Sequence, residues 1–184
     1  MFPLGHYGMA LALYAVVGYV LLRRDRVHDA LCGGGIVLAY TLFPDLDGQL
    51  EFLVHRGVSH TLWFALAVGA LCLLVVAPDL RGRSRREAIL GGSWAFFLGA
   101  FAVVAHLLAD VLNPWGVMPL YPVSPALYSL ELVYAGNDAA NYAMLAAGVG
   151  IAVAAWFAGR PGRERPTPAL RLYRRLRERE PTAE

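Results

Sequence analysis

The chain has 184 residues, of which 58% are hydrophobic and only 16% charged, with a formal net charge of +2. Mean hydropathy is +0.49. Soluble domains carry roughly a quarter of their residues as charges, so this composition excludes an ordinary soluble domain. It implies a single membrane-embedded domain, all-α and of about five transmembrane helices. All sixteen basic residues are arginine, which we read as coding bias. Cys32 and Cys72 lie in apolar runs, and neither a disulfide framework nor a cysteine metal site is indicated; both are expected to be buried.

Pro3–Leu22 is almost uninterrupted apolar sequence, about 30 Å long as a helix and so sufficient to cross a bilayer core. It lacks the basic leader and the small-residue cleavage site of a signal peptide. Arg23, Arg24 and Arg26 stop it and mark a cytoplasmic end. Residues 30–44 form a short run opened by Gly33, Gly34 and Gly35, expected to span through close glycine packing and to end at Pro44. If it is re-entrant instead, four spans remain. Residues 61–77 form a third apolar run, with Ser59 as the expected N-cap and Pro78 as its stop.

The loop after it holds Arg81, Arg83, Arg85 and Arg86, again cytoplasmic. Residues 88–112 form a long fourth run, and 113–137 a loop bearing Pro, Tyr and Trp suited to an interface. Residues 141–158 form the last span, capped by Asn137 or Asp138. The domain then ends near residue 159, and 160–184 is a polar tail with eight arginines. Within that tail, 169–179 reads either as a basic amphipathic helix on anionic lipid or as a solvated segment. The arginine clusters place the N-terminus outside and the tail inside the plasma (inner) membrane.

Phe43 to His60 reads F-P-D-L-D-G-Q-L-E-F-L-V-H-R-G-V-S-H. Carboxylates and neutral imidazoles together are the ligand set for zinc or another first-row metal. On the arginine-derived topology His6, Asp45, Asp47, His55, His60, His106 and Asp110 all fall on one side of the membrane. His28 alone falls on the other. His106 and Asp110 are spaced i,i+4, on one helix face, which makes a two-ligand clamp. Ionisable groups within a span are costly and mark function. Asp45 and Asp47 point to opposite faces if the backbone is extended, so one of them binds metal and the other orients a ligand or acts as a base.

F-P-D-L-D, H-R-G-V-S-H-T and H-L-L-A-D, in this order between apolar helices and after an early His, resemble the YdjM-type family of inner-membrane-associated, metal-dependent hydrolases, also described as LexA-binding. The resemblance covers roughly residues 3–121. It implies a membrane-embedded hydrolase and carries over to Asp45, Asp47, His55, Arg56, His60, His106 and Asp110, with His6 less surely. A more distant similarity is one of order. His6, Asp45, His60, His106 and Asp110 follow the ligand order of zinc-dependent phospholipase C and the zinc nucleases. Those enzymes draw on later histidines, whereas this chain has none after His106, so one metal of their trinuclear cluster is missing unless Glu131 or Asp138 substitutes.

The expected function is therefore hydrolysis of an ester or phosphoester, lipid-like, at the membrane interface. One or two divalent ions, Zn2+ or alternatively Mn2+, would be held by His6, Asp45, His60, His106 and Asp110. Asp47 or His55 would take the proton, and Arg56 would clamp an anionic oxygen. Membrane lipid is the expected partner and nucleic acid is not. The competing expectations are a metal carrier, or a scaffold that recruits a partner through its arginine tail.

Overall fold

The computed structural model describes residues 2–49 and 56–160. His55, the tail beyond Arg160 and its 169–179 segment lie outside the described residues. The fold is all-α: α1 (Pro3–Leu22), α2 (Val27–Thr41), α3 (Leu62–Leu80), α4 (Arg85–Val111) and α5 (Asp138–Gly159), with short 3-10 turns at Pro44–Gln49 and Val58–His60. Among the described residues five helical segments are long and apolar enough to cross a membrane, the second counting as Val27–Gln49.

The helices alternate in direction. The start of α1, the end of α2, the start of α3, the end of α4 and the start of α5 meet at one end of the bundle. Arg23, Arg24, Arg26, Arg81, Arg83, Arg85, Arg86 and Arg160 all lie in or beside the connections at the other end.

Helix α4 is the centre. Its Leu98, Ala102 and Ala105 pack with Ala10 and Tyr14 of α1 and Val37 of α2, and its Val103 and Leu107 pack with Ala65, Val68 and Cys72 of α3. Lipid is as apolar as a helix face, so burial alone does not hold such helices together; close packing through small residues does. Two seams meet that need. A Cβ on Gly8 would run into the backbone of Met144, and one on Gly148 into that of Gly8, so α1 and α5 touch backbone to backbone. A Cβ on Gly99 would lie 2.8 Å from the Val68 carbonyl, which joins α4 to α3 in the same way.

Several boundaries differ from expectation, each for a local reason. The cap of α3 is Thr61, whose hydroxyl accepts from the Phe64 N–H at 3.2 Å; Ser59 is used elsewhere. Pro78 does not stop α3 but sits inside its last turn. Helix α4 begins earlier than residue 88 because Ser84 and Glu87 form a reciprocal capping box. Asn137, not Asp138, caps α5, accepting from the Ala140 N–H at 3.1 Å. Helix α2 starts at Val27 and ends at Thr41, before Pro44. Asp45 and Asp47 lie in a 3-10 turn rather than an extended link. Cys72 is buried as expected, whereas Cys32 is exposed, with its Sγ 3.4 Å from His28 Nε2.

Gly8→Ala is expected to destabilise the bundle by about 1–3 kcal/mol, the usual range for overpacking. Gly35→Ala, where a Cβ meets open space, is expected to be neutral or slightly stabilising. Thermal unfolding in detergent compares the two; equal shifts would remove the α1–α5 seam from the account.

Candidate metal centre

The end of α2 begins the site. Proline has no N–H to donate, its ring crowds the carbonyl four residues back, and it disfavours helical geometry in the residue before it. Pro44 therefore keeps the helix from continuing. The last carbonyls of a helix have no partner within it. That of Thr41 accepts from His106 Nδ1 at 2.8 Å, across from α4. A carbonyl can only accept, so Nδ1 carries the proton and His106 presents Nε2 as a bare lone pair. His6 is held similarly, with Nδ1 3.2 Å from the Phe2 carbonyl. His60 Nδ1 lies 3.3 Å from Asp47 Oδ2 and 3.0 Å from Ser59 Oγ. With Nδ1–H donating to that carboxylate, the ring likewise aims Nε2 inward.

These Nε2 atoms converge with two carboxylates. His60 Nε2 and His106 Nε2 are 3.2 Å apart. Asp45 Oδ1 lies 3.4 Å from the first and 3.5 Å from the second. Asp110 Oδ2 lies 3.5 Å and 3.4 Å from the same two atoms. A tetrahedron around an ion bonded at roughly 2.0–2.2 Å has edges of roughly 3.3–3.6 Å. Four of these five distances fall in that range and the fifth, 3.2 Å, just below it, so the spacing suits a first-row divalent ion. The donor types support the fit as well, since imidazole nitrogens and carboxylate oxygens are the ligands such an ion takes. The buried His/Asp cluster could hold a metal ion.

Asp110 links this set to its surroundings. Its Oδ1 lies 3.4 Å from His6 Nε2 and 2.9 Å from an Arg56 terminal nitrogen. His6 stacks on His106 with ring centroids 3.9 Å apart and planes 9° from parallel. His60, His106 and Asp110 form one group with metal-holding spacing, and His6, Asp45 and His106 a second. The other terminal nitrogen of Arg56 donates to the Gly116 carbonyl at 2.9 Å, and its guanidinium lies 5.3 Å from the Trp115 ring centre. The three imidazoles and Asp110 are buried, whereas Asp45 keeps 28% of its side chain exposed. Access to the cluster is on the Asp45 side.

The structure thus brings together His6, Asp45, Asp47, Arg56, His60, His106 and Asp110. Asp47 is buried, accepts from Ser59 Oγ and from the Arg56 N–H, and faces His60. That enclosure suits orienting His60 rather than serving as a mobile base. Glu131 and Asp138 are exposed and belong to neither metal-holding group among the described residues.

Several supports are not legible in the sequence: Thr41 and Phe2, which act through carbonyls, and Ser59, which reads as a cap by residue type. Nor is Asn141, which is buried on α5. Asn141 accepts from the Phe2 N–H at 3.2 Å and donates to the Ala135 and Asn137 carbonyls, each at 2.8 Å. It pins the start of α1, and with it His6. Only Ser59 and Asn141 left a trace in the sequence, as polar residues beside a histidine and within an apolar run.

Removing a donor from the cluster, by His60→Ala or Asp110→Ala, is expected to abolish tight binding of a divalent ion. Asp47→Asn, which loosens only the orienting hydrogen bond, is expected to weaken it about 10–100-fold. Competition with a chelating dye checks both; unchanged affinity in His60→Ala would refute the donor set.

No curated protein and no solved structure matches the chain. The family model described as YdjM inner membrane protein matches residues 1–170. Together with the five apolar helices, that match makes this a membrane protein that belongs to the YdjM inner membrane protein family.

Proposed function

We propose that the protein is a divalent-metal-dependent hydrolase acting on an ester, most naturally a phosphoester of a lipid-like substrate, at the non-cytoplasmic face of the inner membrane. The observation that carries this reading is the group of His60, His106 and Asp110 with metal-holding spacing, with the partly exposed Asp45 beside it. Three protein donors, with a fourth position shared between water and a more exposed carboxylate, are the pattern of a catalytic rather than a closed structural site. A divalent ion in that set, Zn2+ by its ligand types, supplies Lewis-acid polarisation and lowers the pKa of a water toward ~7.

The chain's own groups supply the rest. Asp47 and the Thr41 carbonyl hold the Nδ1 protons of His60 and His106, which fixes both rings. Asp45 offers Oδ2, 4.0 Å from His6 Nδ1, to receive the proton released as water attacks. Arg56 holds Asp110 Oδ1, and its remaining N–H groups are suited to an anionic oxygen of the substrate. The buried rings exclude bulk water from the far side. A carrier should hold its ion near the bilayer midplane, and here the donors lie at one end of the bundle.

The arginines at the opposite end support the sidedness by the positive-inside rule. In sealed vesicles or cells, labelling of Gly48→Cys from outside and of Arg83→Cys only after permeabilisation is the expected pattern. Labelling of both from one side would overturn it.

Purified protein in lipid nanodiscs, given Zn2+ or Mn2+, is expected to cleave phospholipid or a generic phosphodiester. Chelation should stop the reaction, and His106→Ala should slow it by more than about 100-fold, beyond the range for an orienting residue. Metal-loaded, folded protein that cleaves none of these esters would refute the phosphoester assignment.

A further inference from the structure

The segment 113–137 joins α4 to α5 at the site end of the bundle and carries a single charged side chain, Glu131. Its backbone is firmly seated. Leu130 N–H donates to the Val111 carbonyl at 2.7 Å, and Leu132 N–H to that of Leu112 at 2.9 Å. Val117 and Tyr128 exchange a pair of hydrogen bonds at 3.0 and 2.9 Å, and Leu62 N–H donates to the Pro119 carbonyl at 2.9 Å. Val117 packs into the core, but most of the large apolar side chains point outward. Val123 is 78% exposed and Leu132 69%, and Trp115, Leu127, Tyr128 and Leu130 are exposed as well.

An ordered segment that turns so many large apolar and aromatic groups away from the protein has a covering surface. Three observations identify it. The segment is flanked by two spans, and its irregular backbone could not lie in hydrocarbon facing lipid. Trp and Tyr beside aliphatic side chains are the composition of the membrane–water interface. Helix α4, at 27 residues, is about 40 Å long, more than the roughly 30 Å hydrocarbon core, so one or both of its ends stand at headgroup depth.

We propose that segment 113–137 lies in the headgroup layer of the bilayer, with Val123, Leu127, Leu130 and Leu132 inserted among the upper acyl carbons. The segment then forms a lipid-facing rim to the metal centre. Trp115 and Gly116 carry that rim to Arg56, and Arg56 carries it to Asp110. A molecule already in the leaflet meets the cluster without leaving the membrane surface. This placement requires that the bundle cross a bilayer, but it does not require the hydrolytic reaction.

Spin labels test it. In a Cys32→Ser, Cys72→Ala background, Val123→Cys, Leu132→Cys and, as an aqueous reference, Arg83→Cys are each nitroxide-labelled. The proteins are reconstituted into vesicles of phosphatidylethanolamine and phosphatidylglycerol, and collision rates with oxygen and with a water-soluble nickel chelate are measured. The expected result is an oxygen-to-nickel ratio severalfold higher at 123 and 132 than at 83. Two labels give the result even if one variant fails to fold. A ratio equal to that at 83 would overturn the proposal by showing a water-exposed loop. Low collision with both reagents would overturn it too, by showing that protein, a partner or a second copy, covers the segment.

Discussion

Two ring nitrogens face each other across 3.2 Å, between His60 and His106, with a carboxylate oxygen on either side. A cation placed between them would meet two imidazole and two carboxylate donors at once, the donor types of a first-row divalent ion. The Thr41 carbonyl fixes the proton of His106 on Nδ1, and Asp47 favours the same for His60. The surrounding structure therefore prepares a place for a positive ion before any ion arrives.

The framework serves that place with backbone as much as with side chains. Helix α2 ends early at a proline, and the carbonyl released by that ending holds a ligand on another helix. Asn141 ties α5 to the first residues of α1, and the Phe2 carbonyl beside that tie holds His6. The glycine seams let α1 press on α5 and α3 on α4 closely enough for these hydrogen bonds to form. Packing and site are thus one problem, since a helix displaced by an ångström would separate donors that the ion needs within a tetrahedral edge.

Much of this was legible in the sequence, and the reasons differ by feature. The five apolar runs were visible because a bilayer demands length and hydrophobicity together, and His106 with Asp110 was visible because i,i+4 spacing fixes a face. Helix ends were less legible. Ser59 and Thr61 are both good caps by type, and Asp47 draws Ser59 into the site and leaves the cap to Thr61. Pro78 reads as a stop but is tolerated in the final turn, where the next cap bond closes onto its carbonyl. The holds supplied by Thr41 and Phe2 left no mark, because every residue has a carbonyl and only the fold decides which one a histidine meets.

The central claim is that His60, His106, Asp45 and Asp110 bind one divalent ion through two imidazoles and two carboxylates. X-ray absorption spectroscopy of the purified, zinc-loaded protein measures that shell directly. The account predicts nitrogen and oxygen neighbours at about 2.0–2.1 Å, together with the outer-shell scattering of two or more imidazole rings. That scattering should shrink by about one ring in the His106→Ala protein. An all-oxygen shell with no imidazole contribution, or a shell unchanged by His106→Ala, would contradict it.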